Sequence, residues 1–512
     1  MNLLARWIVA PVTTWLCVIV CAHDALALSW GPETNLSSTS TDSETGLTHR
    51  PLLFDSAGVL HVAWSERSAP NQNYRILTRW LEGGAWTDPE TIVDYFASDP
   101  GVGGGAKYPS LVETPSGELH LFWHDYRVAG IHNLEIFTKM RDAAEAWNPD
   151  RSADIRLTTT DHPETLGDNG YVPVPVVAPD GAIHVTWYDF RFDGLAAEIL
   201  AKTRPAGGVW DLAPGDDADD RVTTDAEHSE LVDVDVDAFG RAHAAWRTLG
   251  AGARVHFASR DPGTGLWSAP VLVDTSGETA GAPAVVVDSE GEAHVVWPDS
   301  RDGGRALFVR TRDASGTWGA EQRLTDPEHG ADEPSMTLDD SGTIQLVWHD
   351  GRVSLLNREV FLRSKALASP WDGSSAQDER ISNASGASVR PSVTARNGLV
   401  AVLWKDARLG NNEIFVRIGG ALGTSIDETT ATAAAALHAS PNPVRGALVR
   451  VSGAAPGALG VFDVTGRRVR SLRASDGPIS WSLDTDSGGR VPPGVYFLRD
   501  AESRTARVTV AR

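Results

Sequence analysis

The chain has 512 residues, a length that fits one large β architecture followed by a small second module. Its 68 acidic residues outnumber its 45 Lys and Arg residues, and the net charge of −23 argues against nucleic-acid binding and against docking on an anionic membrane surface. A hydrophobic fraction of 41% excludes a wholly disordered chain, and 18 Trp, 49 Gly and 29 Pro residues indicate many short strands joined by tight turns.

Residues 1–27 are predicted to form a secretory signal. Arg6 precedes an apolar run, and Ala25-Leu26-Ala27 supplies a small-residue cleavage pattern. Both cysteines, Cys17 and Cys21, lie in this segment, so we expect no disulfide and no thiolate metal site after cleavage. A lipid anchor on Cys21 is the alternative. No other segment reaches the length of a membrane span, and we therefore expect an exported protein, secreted or at the cell surface, without a transmembrane span.

A seven-fold internal repeat follows the signal. A Gly is followed six residues later by a Trp in seven places: Gly58/Trp64, Gly117/Trp123, Gly181/Trp187, Gly240/Trp246, Gly291/Trp297, Gly342/Trp348 and Gly398/Trp404. The spacing within the unit is constant while the spacing between units varies, which is typical of a packed element joined by variable loops.

Each unit is predicted to contain four short strands. In the fifth unit they cover residues 284–287, 292–297 and 306–311 and a segment that begins at Trp318, with turns rich in Asp and Gly between them. Four strands per unit predict an all-β protein with a seven-bladed β-propeller over residues 28–423, in which the Trp side chains pack between blades.

The two ends of this region are predicted to meet in one blade. The seventh unit lacks a fourth strand led by Trp, whereas residues 29–37 begin with such a segment at Trp30. We expect this segment to complete the seventh blade, so that the ring leaves no long open edge.

Two turns carry a resemblance to a known family. The segment from Thr311 to Trp318 is similar to the Asp-box, the Ser/Thr-x-Asp-x-Gly-x-x-Trp hairpin of BNR-repeat, sialidase-like propellers, and residues 259–267 resemble a longer version. The resemblance implies a sialidase-like fold, with the Asp-box in a structural role. It does not imply sialidase catalysis, because no Tyr lies between Tyr188 and Tyr496 to match the late-chain nucleophile of that family.

The C-terminal part carries a second resemblance. Ser440-Pro441-Asn442-Pro443, residues 461–469 and residues 491–498 follow one another in an order similar to the FlgD-type immunoglobulin-like module and to the sorting domains of type IX secretion substrates. The resemblance implies an Ig-like β-sandwich over residues 440–512 and secretion machinery as a partner. The Thr- and Ala-rich residues 424–439 are the predicted linker.

Five units continue past the Trp as Trp-x-Asp-x-Arg. Their arginines are Arg127, Arg191, Arg301, Arg352 and Arg408. One interpretation is an Arg cluster on the rim that binds a carboxylated sugar, because guanidinium grips carboxylate with two hydrogen bonds. The other, favoured by the repetition, is an Asp–Arg pair that ties each blade to the next connection.

A histidine three residues before the Trp also repeats, at His61, His120, His184, His243 and His294. It is predicted to be a packed or hydrogen-bonded strand residue, and no metal ring is expected.

Positions that break the repeat are the better functional candidates. Asp233 and Asp235 share one face of the innermost strand of unit four, and Arg247 replaces the usual motif there. The two carboxylates suit acid/base catalysis or a cation, or they are solvated in a central water channel. Further rim candidates are His124, Tyr126, Tyr171, Tyr188, His349 and Arg390. The acidic loop 216–220 is either solvated or a Ca²⁺ site, and no other cofactor is expected.

Two functions follow from these candidates. The first is a non-enzymatic propeller that binds a glycan or a protein through its rim. The second is a glycan-active enzyme, a glycoside hydrolase or polysaccharide lyase, that uses repeat-breaking residues such as Asp233. The fold does not decide between them.

Overall fold

A computed structural model describes residues 28–421 and 438–510 with internal gaps. The gaps are 47–49, 68–72, 95–104, 128–133, 142–146, 148–150, 159–170, 193–195, 214–218, 276–278, 355–356, 441–448, 453–456, 464–466, 475–478, 487 and 500–504. The predicted signal and most of the predicted linker therefore lie outside the described residues. The described helices are three short 3₁₀ helices, Arg151–Ala153, Pro327–His329 and Ser375–Gln377. No helix in these ranges is long and apolar enough to cross a membrane.

Seven antiparallel sheets between Leu28 and Ala421 confirm the seven-bladed propeller. We name the strands of a blade A to D from the axis outwards, because strands A of neighbouring blades contact one another. Blades 2 and 3 comprise Lys107–Glu113, Leu119–Asp125, Glu135–Arg141 and Ile155–Arg156, and Tyr171–Val177, Ile183–Asp189, Glu198–Arg204 and Asp220–Arg221. Blades 4 to 6 comprise His228–Val236, Ala242–Leu249, Ala253–Arg260 and Val271–Leu272; Ala284–Val287, Ala293–Asp299, Ala306–Arg312 and Gln322–Arg323; and Asp332–Leu338, Thr343–Asp350, Glu359–Ala366 and Glu379–Arg380.

Blades 1 and 7 are less regular and meet at the closure of the ring. Blade 1 comprises Ser43–Glu44, Leu52–Phe54, Leu60–Arg67, Tyr74–Glu82, Ala85–Trp86 and Glu90–Val93, and blade 7 comprises Ser388–Arg396, Leu399–Asp406, Glu413–Ala421, Leu28–Trp30 and Thr34–Asn35. The last two strands pair antiparallel with strand C of blade 7, with Trp30 opposite Gly419 and Thr34 opposite Val416. The predicted closure is thus confirmed, and residues 28–37 are called the N-terminal clasp below.

The Gly and the Trp recur in every unit for different physical reasons. All seven Gly residues lie in the A–B turn with φ between +76° and +93°, a conformation that strains residues with a Cβ. The seven Trp side chains lie in strand B, are at most 1% exposed and pack in cores shared with a neighbouring blade; Trp123, for example, packs with Ile76 and Ile92 of blade 1. The prediction of inter-blade packing is confirmed.

Strand C is fastened to strand D by a buried glutamate. Glu135 accepts hydrogen bonds from the hydroxyl of Thr158 and from the guanidinium of Arg156, both in or next to strand D of the same blade. The same arrangement occurs at Glu198 and Glu359. In blade 7 the hydroxyl donor to Glu413 is Ser37 of the clasp, so the clasp reproduces the repeat.

The repeated histidines are buried strand residues. His184 contacts the hydroxyl of Thr203 at 2.9 Å, and His294 contacts Thr311 at 3.0 Å. Burial lowers the pKa of His184 to about 4 and the pKa of His294 to about 3, because the ring cannot be hydrated when charged. These positions therefore belong to the packing of the blades.

We expect His294→Gln to flatten the acid side of the stability profile. Between pH 6.5 and about 3 the unfolded chain takes up a proton at His294 that the folded chain resists, so the free energy of unfolding falls as the pH drops, by roughly 1.4 kcal/mol per pH unit. Gln345 fills the same repeat position in blade 6 and bonds there to Ser364, so Gln fits the frame. Urea titrations at several pH values would refute this expectation if both proteins showed the same slope.

Residues 438–510 form a separate β module. One sheet contains His438–Ser440, Val449–Ser452 and Ile479–Trp481; the other contains Arg468–Ala474, Gly457–Asp463, Gly494–Arg499 and Thr505–Val510. Both sheets contribute to one core, in which Trp481 contacts Tyr496, and the Tyr496 hydroxyl donates to the carbonyl of Pro492 at 2.7 Å. The assignment as an Ig-like sorting domain stays a prediction.

Candidate functional site

The five repeated arginines lie inside their blades. In blade 3 the guanidinium of Arg191 donates to Asp189 and, at 2.7 Å, to Asp219 at the start of strand D, while the indole N–H of Trp187 donates to Asp189 at 3.0 Å. The other four arginines make the same pair of contacts, with the second acid supplied by Asp154, Glu321, Asp378 or Glu33. Glu33 belongs to the clasp, so the motif is completed even in blade 7.

This arrangement corrects the prediction of an Arg cluster for a ligand. The guanidinium groups of Arg127, Arg301, Arg352 and Arg408 also stack on a Phe of strand C. Each of these four guanidinium groups already contacts two carboxylates and an aromatic ring, and the Arg191 side chain is buried. The pair ties strand B to strand D of its own blade, which is close to the structural interpretation, although that interpretation placed the tie at the next connection.

Asp233 and Asp235 line the axial cavity, as their shared face predicts. Each carboxylate accepts a backbone N–H from strand A of blade 5, at Val285 and Val287, both at 2.9 Å. The Arg50 guanidinium crosses the axis from blade 1, donates to the carbonyl of Val234 at 2.6 Å, and lies 3.8 and 3.9 Å from the two carboxylates.

The role of this carboxylate pair is therefore to join blades 4, 5 and 1 across the channel. Burial raises the pKa of Asp233 to about 6 against the opposing charge of Arg50. The surrounding cavity has a volume of about 280 Å³ and is also lined by Glu333, Arg390 and Arg396. The backbone hydrogen bonds and the Arg50 guanidinium give the pair a structural role between the blades. In the acidic loop, residues 216–218 lie outside the described residues, and Asp219 is bound by Arg191 and Lys202.

A different set of residues meets at the upper mouth, the end of the channel where strands A begin and strands B end. The residue directly after each repeated Trp lies there, and it differs from blade to blade: Ser65, His124, Tyr188, Arg247, Pro298, His349 and Lys405. In five blades a bulge interrupts strand A next to the residue that follows the Trp. One residue of each bulge has a left-handed backbone conformation, with φ between 51° and 54°: Tyr108, Val172, Leu231, Glu333 and Arg390. A constant frame thus presents variable side chains around one opening.

The part of the mouth formed by blades 2 and 3 is aromatic. The rings of Tyr171 and Tyr188 are stacked, 5.0 Å apart with an interplanar angle of 4°. The His124 ring lies 5.9 Å from Tyr171, 6.4 Å from Tyr126 and 5.0 Å from Tyr108. This group, Tyr108, His124, Tyr126, Tyr171 and Tyr188, is called the aromatic cluster below.

His124 has an unused hydrogen-bond donor in this cluster. Its side chain is buried, its Nδ1 accepts the backbone N–H of Val172 at 3.5 Å, and the proton of the neutral ring therefore lies on Nε2. Among the described residues Nε2 has no partner. Burial lowers the pKa of His124 to about 3, with a smaller contribution from Lys107, so the ring stays neutral near pH 7. A buried donor without a partner suits a ligand oxygen.

The part of the mouth formed by blades 6, 7, 1 and 2 is charged. The Arg390 guanidinium donates to the Glu44 carboxylate at 3.0 Å, and the Lys405 ammonium lies 3.4 Å from the same carboxylate. The Lys107 ammonium lies 4.2 Å from the centre of the Tyr74 ring, and burial lowers its pKa. We call these residues, with Arg67, Arg358, Asp42 and Glu333, the charged cluster.

Sequence reasoning found about half of this site. His124, Tyr126, Tyr171 and Tyr188 meet in the aromatic cluster. Arg390 belongs to the charged cluster, and His349 lies next to its Arg358 and Glu333. Arg247 is paired with Glu230. The residues that were missed are Asp42, Glu44, Arg67, Lys107, Tyr108, Glu333, Arg358 and Lys405. The x-Pro step at the bulge, as in Tyr108-Pro109, Glu333-Pro334 and Arg390-Pro391, was an available signal.

The repeat architecture agrees with a family comparison. Residues 48–326, more than half of the chain, match the model described as BNR repeat-containing family member. The chain belongs to the BNR repeat-containing family. The predicted resemblance to BNR-repeat propellers is confirmed, and no curated protein matches the chain.

Solved structures show the same fold for this BNR-repeat protein. An ulvan lyase, a polysaccharide lyase of family PL25, is 11% identical with a TM-score of 0.50, and the match covers 75% of this chain and 95% of that one. A protein of unknown function from Dyadobacter fermentans is 10% identical, with a TM-score of 0.46 over 77% and 99% of the two chains. The GH93 α-L-arabinofuranosidase of Fusarium graminearum, in complex with arabinobiose, is 12% identical, with a TM-score of 0.43 over 75% and 97%.

Proposed function

We propose that the upper mouth binds an anionic glycan and that this binding is the function of the protein. The observation that carries the proposal is the position of a stacked Tyr pair and a buried His donor next to a group of Lys and Arg side chains. Within the described part of the chain this His donor has no partner. Ligand sites of this kind combine aromatic walls with a few placed polar groups. Glycan-active solved structures with related folds are consistent with the proposal and do not carry it.

The aromatic cluster suits the apolar face of a sugar ring. Tyr171 and Tyr188 present flat, partly exposed rings, and Tyr combines a hydrophobic ring with a polar hydroxyl at its edge. The Nε2–H of His124 lies buried next to these rings and, among the described residues, has no partner, so we propose that a ring or hydroxyl oxygen of the same sugar accepts from it. The cluster therefore offers both stacking and a directed hydrogen bond.

The charged cluster suits a carboxylate or sulfate group. Five cations, Arg67, Lys107, Arg358, Arg390 and Lys405, face three carboxylates, Asp42, Glu44 and Glu333. This excess of positive charge is local, since the whole chain carries a net charge of −23. Arg and Lys bind such anions through charge-assisted hydrogen bonds.

The test is a glycan array followed by calorimetry with oligogalacturonides, sialyllactose and their neutral counterparts. We expect binding of carboxylated or sulfated glycans, and we expect Tyr188→Ala and Lys107→Ala each to raise the Kd by about tenfold or more. Arg323→Ala is the matched control, because Arg323 is half exposed in strand D of blade 5. Absence of binding to every glycan, or unchanged affinity in both mouth variants, would contradict the proposal.

Glycan cleavage is a second candidate function. Glu44 and Glu333 lie on either side of the Arg390 guanidinium, with oxygens 3.0 and 3.9 Å from its nitrogens, and two carboxyl groups at one site suit acid/base chemistry. A reducing-end assay on the bound glycan distinguishes the two functions. Product formation that Glu333→Gln abolishes at saturating glycan favours an enzyme, and binding without product favours recognition alone.

We also propose that the protein is exported and that residues 440–512 are read by secretion machinery. Residues 1–27 and the motif order near the C-terminus support this proposal. Fractionation of cells that express the full chain, beside a variant without residues 440–512, tests it. Full-length protein retained in the cytoplasm would contradict export.

A further inference from the structure

Two histidines occupy the same repeat position at the upper mouth but have different surroundings. His124 in blade 2 and His349 in blade 6 both stand between the Trp and the Asp of the motif, and both are buried. His124 leaves its Nε2–H unpartnered among the described residues, as shown above. His349 has charged neighbours at both ring nitrogens. The contrast points to two roles for one position.

The contacts of His349 assign its proton. The Arg358 guanidinium lies 2.6 Å from Nε2 of His349, and since guanidinium only donates, Nε2 is the acceptor. The proton of the neutral ring is then on Nδ1, which lies 3.0 Å from the Glu333 carboxylate. Burial by itself raises the pKa of Glu333, but its contacts with His349 and with the guanidinium and backbone N–H of Arg390 outweigh burial and lower the pKa. Glu333 is thus held as a carboxylate.

The chain of contacts ends on Arg390. The same oxygen of Glu333 accepts the backbone N–H of Arg390 at 2.8 Å, at the residue whose φ of 53° marks the bulge in blade 7. The Arg390 side chain then reaches Glu44 and the carbonyl of Thr45, both at 3.0 Å. Both the backbone and the guanidinium of Arg390 are therefore fixed before a ligand arrives, which reduces the ordering cost of binding.

We infer that Arg358, His349 and Glu333 form a relay that positions Arg390 for the anionic group of the ligand. The inference rests on the proposed function of the upper mouth. His349 is a positioning residue and not a ligand contact, whereas His124, at the equivalent position, contacts the ligand directly. The sequence-based prediction that His349 binds the ligand is revised accordingly.

The first experiment tests the relay without a ligand. In protein labelled with ¹⁵N-histidine, we expect His349 to carry its proton on Nδ1 and His124 to carry it on Nε2, with His349→Gln and His124→Gln used to assign the two signals. A His349 ring that carries its proton on Nε2 overturns the relay, and a His124 ring that carries its proton on Nδ1 overturns the contrast between the two positions. This result does not depend on whether the protein binds a glycan, so failure of the relay and failure of the proposed function are distinguishable.

The second experiment measures binding of an oligogalacturonide. His349→Leu removes the contacts with both Arg358 and Glu333. We expect it to raise the Kd by about tenfold, because each of these charged groups loses its polar contact with the ring. His349→Gln keeps an acceptor for Arg358 and a donor for Glu333, and we expect it to stay within about threefold of the wild type. Equal losses in the two variants, or no loss in either, overturn the inference. Thermal unfolding of both variants identifies a loss of folding.

Discussion

Replacing Asp189 with Thr is expected to lower the free energy of unfolding by about 3–5 kcal/mol, the largest effect of the substitutions considered. Asp189 accepts the backbone N–H of Arg191 at 2.9 Å, its guanidinium, and the indole N–H of Trp187. The Asp189 and Arg191 side chains are both inaccessible to solvent. The variant leaves a buried cation with one of its two carboxylates missing, and urea denaturation measures the loss.

Blade 4 supplies the matched control for this variant. There the motif reads Trp246-Arg247-Thr248-Leu249-Gly250, so both the acid and the Arg of the motif are absent. We expect Asp189→Thr/Arg191→Gly, which copies that arrangement, to be more stable than Asp189→Thr alone. The double variant removes the buried guanidinium together with the carboxylate that binds it. Asp219 keeps its contact with Lys202 at 2.9 Å in both variants. Equal or greater destabilisation of the double variant would show that the tie does not act as a unit.

Replacing Leu36 with Ala is expected to destabilise the propeller by about 2–5 kcal/mol. Leu36 is fully buried in the core shared by blades 7 and 1, with Val416 and Leu77 in the same cluster. Its backbone N–H donates to Ile414 at 2.8 Å, and its carbonyl accepts from Arg79 at 2.9 Å. Both backbone hydrogen bonds can form in the Ala variant. The change in the free energy of unfolding therefore reports on the Leu36 side chain, which packs the clasp against the core.

Leu409→Ala is the control for the clasp variant, because Leu409 is 61% exposed on the same blade. We expect it to change the free energy of unfolding by less than about 0.5 kcal/mol. Limited proteolysis adds a second measurement, in which cleavage within the clasp becomes faster for Leu36→Ala only. If the two Leu variants unfold at the same urea concentration, the clasp does not contribute to stability.

The architecture was accessible to sequence reasoning because its signals are local. A Gly that needs positive φ and a Trp six residues later lie within one hairpin, and a missing fourth strand in unit seven leaves one obvious replacement at Trp30. The acids that bind the repeated arginines were harder to find. Asp154 and Glu321 follow loops of variable length, so no fixed spacing reveals them, and the arginines therefore remained candidates for a ligand.

The charged cluster was out of reach for a related reason. Arg390 and Glu44 are 346 residues apart and meet only because the ring closes. Likewise, the backbone N–H groups that engage Asp233 and Asp235 belong to the next blade. Single-sequence reasoning identifies which positions vary in a repeat, but which of them face one another across the axis follows from the blade count and the closure.

The clasp also determines the order of events when the protein folds. The segment that ends up as the outermost strand of blade 7 is synthesised before every other blade strand, and its partner strand, Glu413–Ala421, appears almost four hundred residues later. Throughout that interval Leu36 lacks the half of its core that blade 7 contributes. Pairing of the clasp with blade 7 is thus a late folding step, and it carries the entropy cost of closing one long loop. A ribosome-bound chain that stops before blade 7 cannot close the propeller.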